Sequence, residues 1–239
     1  MKRHPIAKYA SFIIILLFAI LFMAKFGGPS ILKLYIETGV GTCQKIPILC
    51  MAPEDGIIEL DSNKEYFAEL LPYKFPKIEI AVPRGFDIVQ ETIKKVYYKR
   101  KMRQHNTPTI YVLYEPPDFF IDLFPQLKKQ GISDNYGFIK RIMFAKSKEV
   151  KNLTDTFFMI MKGIFTPDLG DQKNVRMVEF KLADKKGFIN YNLGKPDNYF
   201  DCNVISNAGD FFKIYIKDKG ATLDLNQVLA IISMANKTK

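Results

Sequence analysis

The sequence has no tryptophan, two histidines and three cysteines among its 239 residues. Three cysteines exclude a disulfide-dense scaffold. Two histidines, one of them His4, leave too few ligands for a histidine-rich metal site or for two histidine-based catalytic centres. The signature motifs of common chemistry are missing as well: there is no G-x-x-x-x-G-K-[ST], G-x-G-x-x-G, G-x-S-x-G or H-E-x-x-H. No resident cofactor or metal and no small-molecule substrate is expected from the residues. What is abundant is apolar: 48% of the residues are hydrophobic and 13% aromatic, enough buried surface to offset the ordering entropy of a folded domain.

One run stands apart from the rest. Residues 9–24 read YASFIIILLFAILFMA, uncharged and bounded by Lys8 and Lys25. As a helix it would span about 24 Å, and Phe26 with the snorkelling flanking lysines extends it toward the thickness of a bilayer core. Bulky or charged residues at Phe22, Met23, Lys25 and Phe26 spoil the small-residue pattern that a signal peptidase needs, so a retained anchor is expected rather than a cleaved signal. Lys2, Arg3, Lys8 and the terminal amine precede the run, which places the N-terminus in the cytoplasm. The expected organisation is a cytoplasmic tail over 1–8, a single transmembrane signal-anchor over 9–26, a neck over 27–54 and a domain over 55–239 outside the cytoplasm, all at the cell (inner) membrane.

The net charge is +10, and removing the four basic residues up to Lys25 leaves +6 on the remainder. That surplus is densest in KKVYYKRKMRQH, where Lys94, Lys95, Lys99, Arg100, Lys101 and Arg103 form the candidate contact for a protein partner or an anionic surface. A solvated loop end is the plain alternative, and nucleic acid is not expected as a partner of an exported domain. Cys43 and Cys50, in GTCQKIPILCMAP, are close enough in sequence for a small disulfide loop in an oxidising compartment, with two free thiols as the alternative. Cys202 stands alone and is expected to be a buried apolar residue. Asp168 and Asp171 in TPDLGDQ are too few ligands for a calcium site on their own and suit a surface turn, while an enzyme reading would draw on them together with His105, which could also pair with Glu115 or Asp118.

Periodicity predicts strands over 57–60, 78–82, 88–98, 109–114 and 136–145, the second pair joined by the basic loop as a hairpin. Helices are expected over 64–71, after an Asp118 cap, after a Ser147 cap with Val150, Leu153, Phe157, Met161 and Ile164 inward, and from Thr222 to Ala235. Two hairpins, 175–183 with 188–193 and 199–206 with 211–217, turn at 184–187 and 207–209. The order βββ-α-β-α-ββββ-α makes an α+β domain with a largely antiparallel sheet packed between helices, preceded by one transmembrane helix.

Two stretches, KIEIAVPRGFDI at 77–88 and YFDCNVISNAGDFFKIYIKDKGATLDLNQVLAIISMA at 199–235, resemble the opening strand motif and the closing hairpin and helix of PsbP/DcrB-like domains. The resemblance covers about residues 75–235, with Phe86 where that family usually has tryptophan. It implies an antiparallel sheet sandwiched between helices and a role as a membrane-tethered or exported accessory protein without enzymatic activity. The expected function is therefore binding of a protein partner or complex at the membrane. An enzyme acting on envelope polymers and a binding module for anionic ligands are the alternatives.

Overall fold

A computed structural model describes residues 27–38, 43, 46–59, 64–90, 108–166, 169, 174–194 and 196–238. The run over 9–26 lies outside them, and no helix among the described residues is long and apolar enough to cross a membrane.

The chain forms helix α1 (Gly28–Thr38), strand β1 (Ile57–Glu59), helix α2 (Lys64–Glu69) and strands β2 (Leu70–Lys74), β3 (Ile78–Pro83), β4 (Asp87–Gln90) and β5 (Thr109–Glu115). Three helices follow: α3 (Phe119–Leu123), α4 (Asn135–Phe144) and α5 (Leu153–Phe165). Then come β6 (Val175–Lys181), β7 (Lys185–Gly194), β8 (Asp197–Ser206), β9 (Phe211–Lys219), α6 (Leu225–Ser233) and the short β10 (Asn236–Lys237). The α+β class and the mostly antiparallel sheet are as expected.

Seven strands make the main sheet, in the order β1-β6-β7-β8-β9-β5-β4, and three make a second one, β10-β3-β2. The two edge pairs of the main sheet, β1 with β6 and β4 with β5, are parallel. The second corrects the expected hairpin of these two strands, since a tight turn joins antiparallel strands only. Residues 91–107 lie outside the described ones.

The faces of the main sheet bury different things. Phe180, Ile189, Phe200, Cys202, Val204, Ile214 and Ile216 point toward the small sheet and α6, which bring Ile78, Ile80, Val82, Val228 and Ile232. The alternate residues Met177, Phe188, Ile205 and Phe211 point toward α3, α4 and α5, where Phe120, Phe138, Ile142 and Phe158 close the second core. Phe138 stacks on Phe120 at 4.8 Å between ring centroids. Three layers result, with the main sheet in the middle.

Several expectations are corrected by local physics. The segment 136–145, read as a strand, is helix α4, capped by Asp134, whose side chain accepts from Gly137 N at 2.6 Å. Its buried Phe138, Ile139, Ile142 and Met143 recur at helical spacing. Helix α5 is capped by Asn152 rather than Ser147 and buries Phe158, Met159 and Lys162, while Leu153 and Ile164 are exposed. Asp224 and Gln227 form a full capping box for α6, and Thr222 instead donates to Asp218. Asp118 stands at the N-cap of α3 as expected, but with φ 61° and no side-chain capping bond, and Pro125 starts a 3-10 segment just after that helix ends. Helix α2 stops at Glu69 and the chain turns directly into β2.

The turn assigned to 184–187 sits earlier, where Leu182 N donates to Lys185 O at 2.7 Å. Gly187 is therefore a strand residue, and its need for glycine is steric. A Cβ there would lie 1.9 Å from the carbonyl oxygen of Asn203 and 3.1 Å from the Phe180 ring. Gly187→Ala is expected to force β7 and β8 apart and destabilise the domain by about 1–3 kcal/mol or more, read as a lowered urea midpoint at unchanged m-value.

Candidate functional site

The polar residues that the fold gathers lie in three places. The first is the junction between the N-terminal segment and the helical layer. The structure joins Cys43 and Cys50 in a disulfide, with their Cα atoms 5.6 Å apart. Between them Pro47–Leu49 makes one 3-10 turn, begun by the proline whose missing N–H is not needed there. That turn buries Ile48 in the helical core and Leu49 against Val150 and Met159. The segment expected as a neck is thus built into the domain at these residues. Glu54 extends the contact by pairing with Arg176 of β6.

Lys162 sits at the centre of this junction with no exposed surface. Its Nζ donates to Met51 O at 2.6 Å, Met143 O at 2.8 Å and Ala145 O at 2.7 Å. An ammonium has three protons, so this cage uses each one. The carbonyls of Met143 and Ala145 belong to the end of α4, where helix geometry leaves acceptors without intrahelical donors. Burial, with the charge of Lys146 adding to it and Glu149 opposing, pulls the amine down to about 7.

The second place is the helix-facing side of the main sheet. Register sets Asn190 opposite Asp201 and Asn203 opposite Lys213. Asp201 Oδ1 pairs with Lys213 Nζ at 2.6 Å, and Asp201 Oδ2 accepts from Asn190 Nδ2 at 3.0 Å. Lys213 also donates to Asn203 Oδ1 at 3.1 Å and to the carbonyl of Phe165 at the end of α5. Desolvation pushes the Asp201 carboxyl up, against the pull of Lys213, Asn190 and Asn203. The neighbouring Cys202 points to the opposite core, where burial and then the Asp201 charge push its thiol well up. It has no reactive thiolate character.

The third place is a cavity of about 400 Å³ where β3, β5 and the C-terminal residues meet, lined by Lys77, Tyr114, Glu115, Phe119, Lys237 and Thr238. Glu115 is almost fully buried, and desolvation raises its carboxyl while Lys77 lowers it. Tyr114 donates to Asp210 at 2.8 Å, and its phenol is raised by burial and by that bond. Asn135 holds the adjoining turn through Phe120 N, Pro116 O and Gly209 O. This is an open recess in which the Glu115 carboxyl, Lys77 and Lys237 stand among apolar side chains.

Lys94, Lys95, Lys99, Arg100, Lys101, Arg103 and His105 lie outside the described residues, as do Asp168 and Asp171. No cluster of three or more His, Cys, Asp or Glu occurs among the described residues. Sequence reading missed Lys162, Asp201, Lys213 and the Glu115 recess. The signal for Lys162 was present: a single cation inside the apolar run FFMIMKGIF of α5. Nothing in the alternating pattern of β8 marked Asp201 as buried, since polar residues on strands usually face water.

The fold is thus a three-layer α+β domain in which the buried Lys162 and Asp201 are partnered by the protein's own residues. No family model and no curated protein matches the chain.

Two predictions test the buried charges. The ordinary lysine value is 10.5, against about 7 in the folded protein. The unfolded chain therefore binds more protons in that window, and the Lys162 contribution to stability rises as pH rises through it. Lys162→Met removes this slope and leaves three carbonyls without a donor. Its thermal midpoint should fall below that of the parent protein, and the gap should be wider at about pH 9 than at about pH 7. Lys213→Met strands the Asp201 carboxylate and is expected to cost about 3–5 kcal/mol in urea denaturation, whereas Asp201→Asn with Lys213→Met should recover much of that loss.

Proposed function

We propose that the chain is a single-pass membrane-anchored accessory protein whose domain lies outside the cytoplasm and binds a protein partner or complex at the membrane. The observation that carries this reading is the Cys43–Cys50 disulfide, because such bridges persist in oxidising compartments and are rare in the cytosol. The apolar run over 9–26 and the basic residues before it point the same way. The resemblance to PsbP/DcrB-like domains supports an accessory role.

The mechanism is tethering. An anchor confines the domain to a thin layer above the bilayer and raises its effective concentration for a neighbouring membrane protein without any new contact. The junction around Lys162 contributes by fixing the N-terminal segment to the helical layer, so that the position of the domain follows that of the anchor. The basic stretch with Lys94, Lys95, Lys99, Arg100, Lys101 and Arg103 supplies the charge for partner selection and encounter.

Labelling of intact cells with a membrane-impermeant maleimide, read as a gel shift, tests this reading. Cys202 is fully buried and stays silent in the folded protein. Cys43 and Cys50 should react only after mild reduction, and a Cys43→Ser/Cys50→Ser variant should not react at all. Reaction that requires permeabilised cells would put the domain in the cytoplasm and overturn the proposal.

A further inference from the structure

Helix α1 starts at Gly28, two residues after the 9–26 run ends, so its first turns are close to wherever that run leads. One side of α1 is spent on the domain. Leu32 packs with Leu49, Val150 and Met159, and Lys33 Nζ donates to Lys148 O at 3.3 Å. On the other side Ile31, Leu34 and Tyr35 are 58%, 60% and 53% exposed. At positions i, i+3 and i+4 they form one patch. A lone exposed leucine is ordinary, but three large apolar side chains on one turn of an eleven-residue helix form a patch of the kind that meets another surface.

The surroundings identify that surface. Glu37 is the first acidic residue in the chain, so neither the 9–26 run nor the first turns of α1 carry negative charge. The turn that α1 touches holds Lys148 and Lys151, both exposed. They stand beside a cavity of about 320 Å³ where Arg141 pairs with Asp155 at 3.1 Å and Lys146 with Glu149 at 3.9 Å. Apolar side chains on one helix face, a tyrosine at their edge and exposed lysines alongside are the composition of a helix lying at a bilayer surface.

Resting on the membrane-anchor reading above, we propose that α1 lies in the headgroup layer of the membrane. Ile31, Leu34 and Tyr35 enter the lipid, and Lys148 and Lys151 meet anionic headgroups. Because α1 is fastened to α5 and to the turn at Lys148, the domain is then docked flat on the bilayer instead of swinging above it. The helix-layer side faces the lipid and the small sheet faces away.

The absence of tryptophan gives a clean reporter. Ile31→Trp and, separately, Tyr35→Trp are made in the full-length chain and reconstituted into vesicles of equal parts phosphatidylglycerol and phosphatidylcholine. Both positions are more than half exposed, so neither substitution disturbs the core. Tyr73→Trp, on β2 in the opposite layer, is the control. Emission at 31 and 35 should be blue-shifted and quenched at least about twofold by bromine-labelled lipid, while emission at 73 should respond only to aqueous iodide.

A carbonate wash tests the anchor by itself. If the protein stays with the vesicles but tryptophan at 31 and 35 is quenched by iodide as at 73, the anchor reading stands and the docking inference is overturned. Blue-shifted emission that bromine-labelled lipid leaves unquenched also overturns it, because a protein surface then covers the patch. Release of the protein by carbonate overturns the anchor reading and, with it, the lipid docking.

Discussion

The amine of Lys162 is surrounded by carbonyls from the segment after Cys50, from the last turn of α4 and from the loop that follows it. A buried cation without partners is among the most costly features a fold can carry, and a buried carbonyl without a donor is costly too. Both costs vanish together only when α4, α5 and the N-terminal segment occupy one relative arrangement. The packing of Leu49 on Met159 and the contact of Cys50 Sγ with Ser147 Oγ at 3.4 Å then follow from geometry already set. The disulfide closes the same segment from its other end. In this way the first part of the chain is held by a polar node as well as by apolar burial.

The main sheet shows a related economy. On β8, Phe200, Cys202 and Val204 face the apolar layer of α6 and the small sheet, while Asp201 and Asn203 face the helices. A slip of one residue would exchange these sets and thrust Asp201 into the apolar core. The Asp201–Lys213 pair is a poor source of net stability, because desolvation offsets most of its attraction. Its consequence is register: only one pairing of β7, β8 and β9 brings Asn190, Asp201, Asn203 and Lys213 within reach of one another and of the Phe165 carbonyl. The hydrogen bond from Lys213 also places the end of α5, whose last turn carries Lys162, so the two polar nodes are linked through one helix.

On the proposed reading these nodes serve mechanical coupling. A domain that hangs from its anchor by a loose linker samples many orientations, and its partner-binding surface faces the partner for only a fraction of the time. A helix fastened to the domain at Leu32 and Lys33 removes that freedom. The cost of orienting the domain is then met in folding rather than in each encounter. The basic surplus adds long-range attraction toward acidic surfaces, an effect screened by salt.

Much of the β-structure was legible in the residues alone. The alternation along β3, β5, β6 and β9 and the Asn207–Gly209 turn are local properties, and they persisted in the fold because each strand buries one or both faces as its pattern requires. The aromatic stripe of α5 and the apolar residues of α6 were readable for the same reason, by periodicity. Helix α4 was not, because a run of ten residues with Tyr136, Phe138 and Ile142 suits either period, and only its Asp134 cap and the sheet beneath it decide between them. The parallel pairing of β4 with β5 depends on how the connection returns, which no pattern within either strand encodes. Asp201 and Glu115 are buried only because distant segments close over them. Sequence by itself determined the α+β class, the apolar run and the strands β1, β3 and β5 to β9, since these depend on neighbours in the chain. Tertiary structure alone decided where the charges are buried and what partners them, since those partners come from other elements, and Met51 lies more than a hundred residues from Lys162.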